Sequence, residues 1–392
     1  MSKKLFSIAI VSYNQRDLIE DCIDSILEQT YENIELILCD DNSCDFDVKE
    51  IEDYIEKNKN INIKNVIVYK QNRNVGTSAN CQKAMELASG EYFKLQAGDD
   101  MLREPDVLKK VANLLELNSC NVIIGRAQAC THDGILVNDI YPLEDNFSQA
   151  KNVSPKKLFE LLSTRSWGAY VCAPAVFWRM SFLKEMGGFD LSYKYTEDWP
   201  LWLEICKRGY EITYADMVTT IYRYGGISNG SSELNKSIGK EHYEECIRML
   251  KEKSMPVLKE KYSKLAQLRC WCAIKCIEAR IVQEQKWNYW TLHKKMEWRI
   301  KNAIFLFAQE LFHIRYSDLH CDVKNKCLLI IILAGISYWN TLFYQDARGM
   351  LIFSILFWAI VFLLVGSAMI SGLIKFAKFL CVLRIKYFNK KY

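Results

Sequence analysis

The chain is expected to be an α/β protein, with a doubly wound, mostly parallel sheet in front and helices behind. Three observations predict this. Short apolar runs alternate with helical periodicities through the first hundred residues, joined by loops too short for anything but βαβ units. Charge is split along the chain: residues 1–250 hold 28 Lys/Arg against 38 Asp/Glu, and residues 251–392 hold 23 against 9. A run of 26 uncharged residues, 349–374, lies near the C-terminus. With 392 residues, 50% hydrophobic and 25% charged, the composition excludes disorder, collagen and small disulfide scaffolds.

Residues 5–12 (LFSIAIVS) form a short apolar run and predict a buried strand. Over 16–29, Leu18, Ile19, Cys22, Ile23, Ile26 and Leu27 recur at helical spacing. A second strand is expected over 34–39, running into Asp40, Asp41, Asn42 and Ser43. Residues 48–55 predict a helix, 66–69 a third strand, 75–88 a third helix, and 92–96 a fourth strand running into Gly98, Asp99 and Asp100. In such sheets ligands bind at the carboxyl ends of the strands. That gathers Tyr13 and Asn14, then 40–43, then 72–76, then Asp99 and Asp100 into one candidate site. The first turn, SYNQRD, has no glycine, which argues against a dinucleotide site, and the Walker A pattern is absent. Paired acids at strand ends suit a hard divalent ion that in turn holds a diphosphate. Turn and N-cap chemistry is the plainer explanation for any one such acid, but two pairs at neighbouring strand ends strain it.

The ordered motifs carry a family resemblance over about residues 1–230. They are VSYN at 11–14, Ser25-Ile-Leu-x-Gln29, ELILCDDNS at 35–43, Asn74-Val-Gly76, Asn80, ASGEY at 88–92, and Gly98-Asp-Asp100. GGFD at 187–190, EDW at 197–199 and YRYGGIS at 222–228 complete the set. The chain resembles the inverting glycosyltransferases of family two, of membrane-anchored bacterial type, which have the GT-A nucleotide-sugar-binding fold. The resemblance implies that Tyr13 stacks on a nucleobase and Asp41 accepts a hydrogen bond from it. It implies that Asp99 ligates Mg2+ or Mn2+ against the donor diphosphate, and that Asp198 is the general base. Asp40, Asp100 and Glu197 are further candidates. Arg223 either faces the diphosphate or is an exposed strand neighbour. Two departures stand out. The first acidic position of the family's Asp-x-Asp is Ala97, and the stretch after Tyr222 contains no histidine. A 225–230 loop is expected to close over the donor instead. Asp198 also begins a well-punctuated helix, with Pro200 in its first turn and Gly209 at its end, so it can serve as an N-cap.

The expected organisation is a catalytic domain over 1–250, a basic amphipathic helical neck over 251–326, a transmembrane hairpin over 327–374 and a basic cytoplasmic tail over 375–392. The neck reading rests on Leu258, Tyr262, Leu265, Leu268, Cys272 and Cys276 at helical spacing; a helix packed on the front domain fits them equally well. Lysines on both outer flanks of 327–374 imply an even number of crossings with both ends in the cytoplasm. The 327–345 run either spans or lies in the interface. The N-terminus lacks a signal-peptide h-region, so a multi-pass membrane protein with its catalytic domain on the cytoplasmic face is expected. The fifteen cysteines then read as reduced and mostly buried. The function implied is transfer of one sugar from a nucleotide-diphospho-sugar, expected to be a UDP-sugar, to a glycan or lipid-linked acceptor in cell-surface polysaccharide synthesis. No nucleic-acid partner is expected. The alternatives are a polyprenyl-phosphate glycosyl transferase, whose Asp-Ala-Asp-Leu-Gln motif is replaced here by QAGDDM, or an inactive binding module.

Overall fold

The computed structural model describes residues 3–117, 120–164, 170–225 and 233–286. The front alternates strictly: β1 (Phe6–Ser12), α1 (Ile19–Leu27), β2 (Ile34–Asp40), α2 (Val48–Asn58), β3 (Ile63–Lys70), α3 (Thr77–Leu87) and β4 (Tyr92–Ala97). Then come β5 (Met101–Leu102), α4 (Val107–Leu117), β6 (Val122–Cys130), β7 (Leu136–Tyr141), α5 (Glu144–Lys151), α6 (Pro155–Thr164) and β8 (Val176–Arg179). The remaining elements are α7 (Met180–Glu185), α8 (Trp199–Lys207), β9 (Thr213–Arg223), α9 (Glu233–Met249), α10 (Met255–Lys261) and α11 (Lys264–Lys286). A π-helical turn, Leu250–Ser254, joins α9 to α10.

The strands form one sheet in the order β3-β2-β1-β4-β8-β6-β9-β5, with β7 paired to β6. The parallel arrangement expected from sequence holds for β3-β2-β1-β4. Beyond β4 the sheet is mixed: β8 runs antiparallel to β4 and β6, β7 to β6, and β5 to β9. For β7 the reason is local. A tight turn closed by Gly134 N–H on the Thr131 carbonyl at 3.0 Å, with Gly134 at φ 80°, folds β7 back as a hairpin, where a parallel step would need a crossover.

The pleat sorts the core into two layers. Phe6, Ile8 and Ile10 of β1 pack with Leu36 and Leu38 against α1, α2 and α4. On the other face Ala9, Ile37 and Phe93 pack against α3 and α5–α8. Glu35 is buried in this frame and ties three strands to the α3–β4 turn. Its carboxylate accepts from Ser7 Oγ (2.5 Å), Ser89 N (2.8 Å), Ser89 Oγ (2.7 Å) and Asn65 Nδ2 (3.1 Å). Burial opposes its charge, but these donors hold its pKa below the ordinary value.

The catalytic boundary expected at residue 250 moves. Leu250, Leu258, Ala266, Cys270, Ala273, Ile274 and Ile277 belong to the same core layer as α3 and α6–α8, and the compact front unit runs to Lys286. Tyr262 stacks on Phe159 at 5.6 Å, and Arg269 pairs with Glu160 at 2.8 Å, so α10 and α11 close the sheet's helical layer. No described helix is long and apolar enough to cross a membrane. The expected hairpin at 327–374, the tail at 375–392, the rest of the neck and the loop residues 226–230 lie outside the described residues.

Candidate active site

Register brings the strand ends together. Ser12 of β1 sits opposite Asp40 of β2, and Val11 opposite Ala97 of β4. Tyr13, Asp41 and Asp99 therefore leave three adjacent strands side by side. The turns there need left-handed backbone at Asn14 (φ 54°) and Asn42 (φ 66°), which asparagine accepts more readily than most residues. Asp40 points inward and braces the turn, accepting from Ser43 N (2.7 Å), Ser43 Oγ (2.5 Å) and Ser12 Oγ (3.1 Å). Ser43 Oγ accepts in turn from Asn14 N–H at 2.7 Å. Tyr13 is half-buried beside them.

Asp41 is buried, and its two oxygens accept the backbone N–H groups of Val75 (2.7 Å) and Gly76 (2.9 Å). Burial raises its pKa against those two bonds. Gly76 has φ 90°, and a Cβ there would lie 2.3 Å from Cγ of Lys194, so the Asn-Val-Gly motif serves a close approach as well as a turn.

Asp99 retains 8% exposure and Asp100 1%. Burial raises the pKa of both, and Asp99 adds to the effect on Asp100. Asp100 accepts the Arg223 N–H on Oδ1 at 3.0 Å, while its buried Oδ2 has no hydrogen-bond partner among the described residues. Behind the pair, Lys94 is fully buried with Nζ donating to the Pro174 carbonyl at 2.5 Å; burial lowers its pKa to about 8. Arg223 is buried, which corrects the reading of it as an exposed strand neighbour. It is 3% exposed, and its guanidinium donates to the carbonyls of Asp99 (3.1 Å) and His132 (2.5 Å) and to the Asp21 carboxylate (2.7 Å).

Among the described residues, no three His, Cys, Asp or Glu side chains gather as a complete metal cage. Asp99 with Asp100 nonetheless fits a divalent ion that takes one or two carboxylates and completes its shell with phosphate oxygens and water. The orphaned Asp100 oxygen and the two raised carboxyls are what such a cation would relieve.

Glu197 and Asp198 open α8. Pro200 suits its first turn, and Gly209 at φ 84° ends it. Asp198 occupies the N-cap position, but its carboxylate does not cap the helix; Oδ2 accepts the indole N–H of Trp202 at 3.1 Å. Trp202 is held by stacking on Trp178 of β8 at 4.9 Å. Both acids are half-buried. Burial, then the charge of Asp198, pushes Glu197 up to about 8. Burial also raises Asp198, opposed by the Trp202 N–H and by His242.

Two buried thiols feel the charge of these acids. Cys81 of α3 is driven well up, first by burial and then by the charges of Glu197, Asp198 and Asp41. Cys172 is pushed to about 12 by burial, with Asp100 and Asp198 both adding. The Lys194 stem packs at Gly76, whose N–H Asp41 accepts, and Ser78 N–H donates to the Lys194 carbonyl at 3.0 Å, so the segment leading into Glu197 and Asp198 lies against the Asp41 loop at the strand ends. The sequence reading missed His242 of α9, whose Nδ1 meets Thr196 Oγ1 at 3.1 Å. It looked for a late histidine within 222–230. The available signal was the Glu245 one helical turn after His242, on the same helix face.

Residues 7–183 match the Glycosyl transferase family 2 domain. The chain is 28% identical over 235 residues to the UDP-Glc:alpha-D-GlcNAc-diphosphoundecaprenol beta-1,3-glucosyltransferase WfaP of Escherichia coli, covering 59% of this chain and 81% of that one. It is 28% identical over 202 residues to an uncharacterized glycosyltransferase of Rickettsia prowazekii, covering 51% of this chain and 58% of that relative's length. The crystal structure of S. aureus TarS 1-349 shares the fold, with a TM-score of 0.50 and 17% identity over 77% of this chain and 80% of that one. The sheet, its strand-end acids and these likenesses agree: residues 7–183 match the Glycosyl transferase family 2 domain on a GT-A-like α/β sheet, and the protein is a glycosyltransferase.

Proposed function

We propose that the protein is an inverting transferase that moves one sugar from a nucleotide-diphospho-sugar to a hydroxyl of a glycan or lipid-linked acceptor in cell-surface glycan synthesis. The observation that carries this reading is that Asp41 and Asp99/Asp100 leave adjacent strand ends while the segment leading into Glu197 and Asp198 packs on the Asp41 loop through Lys194. Its relative WfaP is named for a UDP-Glc donor and a diphosphoundecaprenol-linked acceptor, which supports a UDP-sugar and a lipid-linked acceptor here.

In this reading Tyr13 stacks on the base and Asp41 accepts from it with lone pairs that Val75 and Gly76 leave free. Asp99, with Asp100 behind it, would hold a Mg2+ or Mn2+ ion that neutralises the diphosphate. Glu197 and Asp198 have divided roles because their environments differ. Glu197, pushed to about 8, keeps its proton at neutral pH. Asp198, whose carboxylate accepts the Trp202 N–H, is assigned as the base. Its carboxylate takes the acceptor hydroxyl proton while that oxygen bonds to the anomeric carbon. The bond from that carbon to the diphosphate breaks, and the nucleoside diphosphate leaves with the electron pair. One displacement inverts the carbon. We further propose that residues 327–374 anchor the protein in a membrane with the catalytic domain on the cytoplasmic face.

The test is Asp198→Asn against Glu197→Gln, measured as nucleotide release from a panel of sugar nucleotides with a lipid extract as acceptor source. Asp198→Asn should lower turnover by roughly 10²–10⁴-fold with donor binding retained. A near wild-type rate for Asp198→Asn beside a dead Glu197→Gln would place the base one residue earlier.

A further inference from the structure

The segment leading into the acid pair has little secondary structure of its own, and α9 holds it. Three α9 side chains spaced three residues apart share one stripe and grip successive residues of that segment. Arg248 Nη2 donates to the Ser192 carbonyl at 2.5 Å, and its guanidinium lies 4.2 Å from the centre of the Tyr193 ring. Glu245 accepts the N–H groups of Lys194 (2.6 Å) and Tyr195 (2.9 Å), one on each carboxylate oxygen. His242 meets Thr196 Oγ1 with Nδ1 at 3.1 Å, while its Nε2 faces Cys246 Sγ at 3.6 Å. Within the π-helical turn, Lys253 pairs with Asp190 at 2.6 Å.

We propose that Glu245 and His242 are positioning residues for Asp198: α9 fixes the backbone of 194–196, and so sets where the Asp198 carboxylate meets the acceptor. This rests on the reading of Asp198 as the base. The physical argument is one of tolerance. A base displaced by about 1 Å can cost roughly 10²-fold in rate. Glu245 is suited to prevent that, since a carboxylate holding two backbone N–H groups makes two charge-assisted bonds. A glutamine there would keep one acceptor oxygen and turn its amide donor against the second N–H. His242 completes the hold at Thr196, two residues from Asp198.

The experiment uses the full-length protein and whichever sugar nucleotide of the panel above supports turnover, with its nucleoside diphosphate as the binding probe. Glu245→Gln and His242→Gln are each made alone and in the Asp198→Asn background. Alone, each should lower kcat by about 10–100-fold while nucleoside diphosphate affinity stays within about twofold. In the Asp198→Asn background, each should cost less than about twofold more, because a positioning residue has nothing left to position. His242→Asn, which keeps an amide near the Nδ1 position, should recover most of the loss seen with His242→Gln. If Glu245→Gln does not fold, the two His242 variants carry the comparison. Losses that multiply with that of Asp198→Asn would overturn the proposal, as would full activity of both single variants beside a dead Asp198→Asn. A near wild-type Asp198→Asn would overturn the base assignment itself, and the positioning role with it.

Discussion

Replacing Arg223 with methionine separates two roles that sequence leaves level. Methionine keeps most of the apolar stem and removes every guanidinium donor. The pairing with Asp21 is worth little, because that carboxylate is 58% exposed and water replaces the arginine. His132 lies in an exposed turn, so its carbonyl is also readily rewetted. The Asp99 carbonyl sits beside two nearly buried acids, and losing its 3.1 Å donor leaves it poorly solvated. One such orphan costs about 2 kcal/mol, and the lesser losses bring the total to about 2–3 kcal/mol. In a domain of this size that lowers Tm by about 4–12 °C. The Asp100 bond survives, since it comes from the Arg223 backbone. Arg223→Met should therefore melt earlier, and its affinity for nucleoside diphosphate should fall only severalfold. Calorimetric melting and nucleotide titration read both quantities. An unchanged Tm with binding abolished would mean that the guanidinium serves the diphosphate, against the geometry described above.

Asp99→Asn should abolish turnover and sharply weaken nucleoside diphosphate binding, and EDTA should mimic it; full activity in EDTA would remove the metal from the reading. Glu35→Gln should destabilise the fold by about 1–3 kcal/mol at pH 7. Glu35 has a folded pKa below the ordinary 4.5, so its contribution is present above that value and lost as pH falls through the folded pKa. The gap in urea midpoint between wild type and Glu35→Gln should thus shrink as pH falls below the ordinary 4.5 and through the lower folded pKa, and a gap independent of pH would refute the account. A reporter fused after Tyr392 should read out in the cytoplasm; an external signal would mean an odd number of crossings.

The front of the site was legible because parallel βαβ units leave little freedom. Once 5–12, 34–39 and 92–96 read as strands, the residues after them had to share one edge, and Tyr13, Asp41 and Asp99 do. In the second half of the sheet β8 and β5 were not legible, because β8 has four residues and β5 two, too few for a pattern to declare itself. Arg223 could not be placed from its neighbours, since its partners Asp99, His132 and Asp21 are distant in the chain. Asp198 looked like an N-cap because the helix punctuation around it is sound; that its carboxylate turns to Trp202 depends on the Trp178 stack. The periodicity of residues 258–276 was right as helix on either side of a break at Tyr262–Ser263, and silent about what it covers. That surface turned out to be the domain's own core.

The pinch at Gly76 has a consequence for recombination between relatives. The Lys194 stem lies where any side chain at 76 would begin, and Ser78 N–H donates to the Lys194 carbonyl at 3.0 Å. The loop that holds Asp41 and the segment that carries the acid pair are thus cut to each other's shape, although more than a hundred residues separate them. A chimera that imports 72–80 from one parent and keeps 187–198 from another would inherit mismatched halves. Crossovers that move both segments together should preserve the joint, so the two stretches form one heritable module.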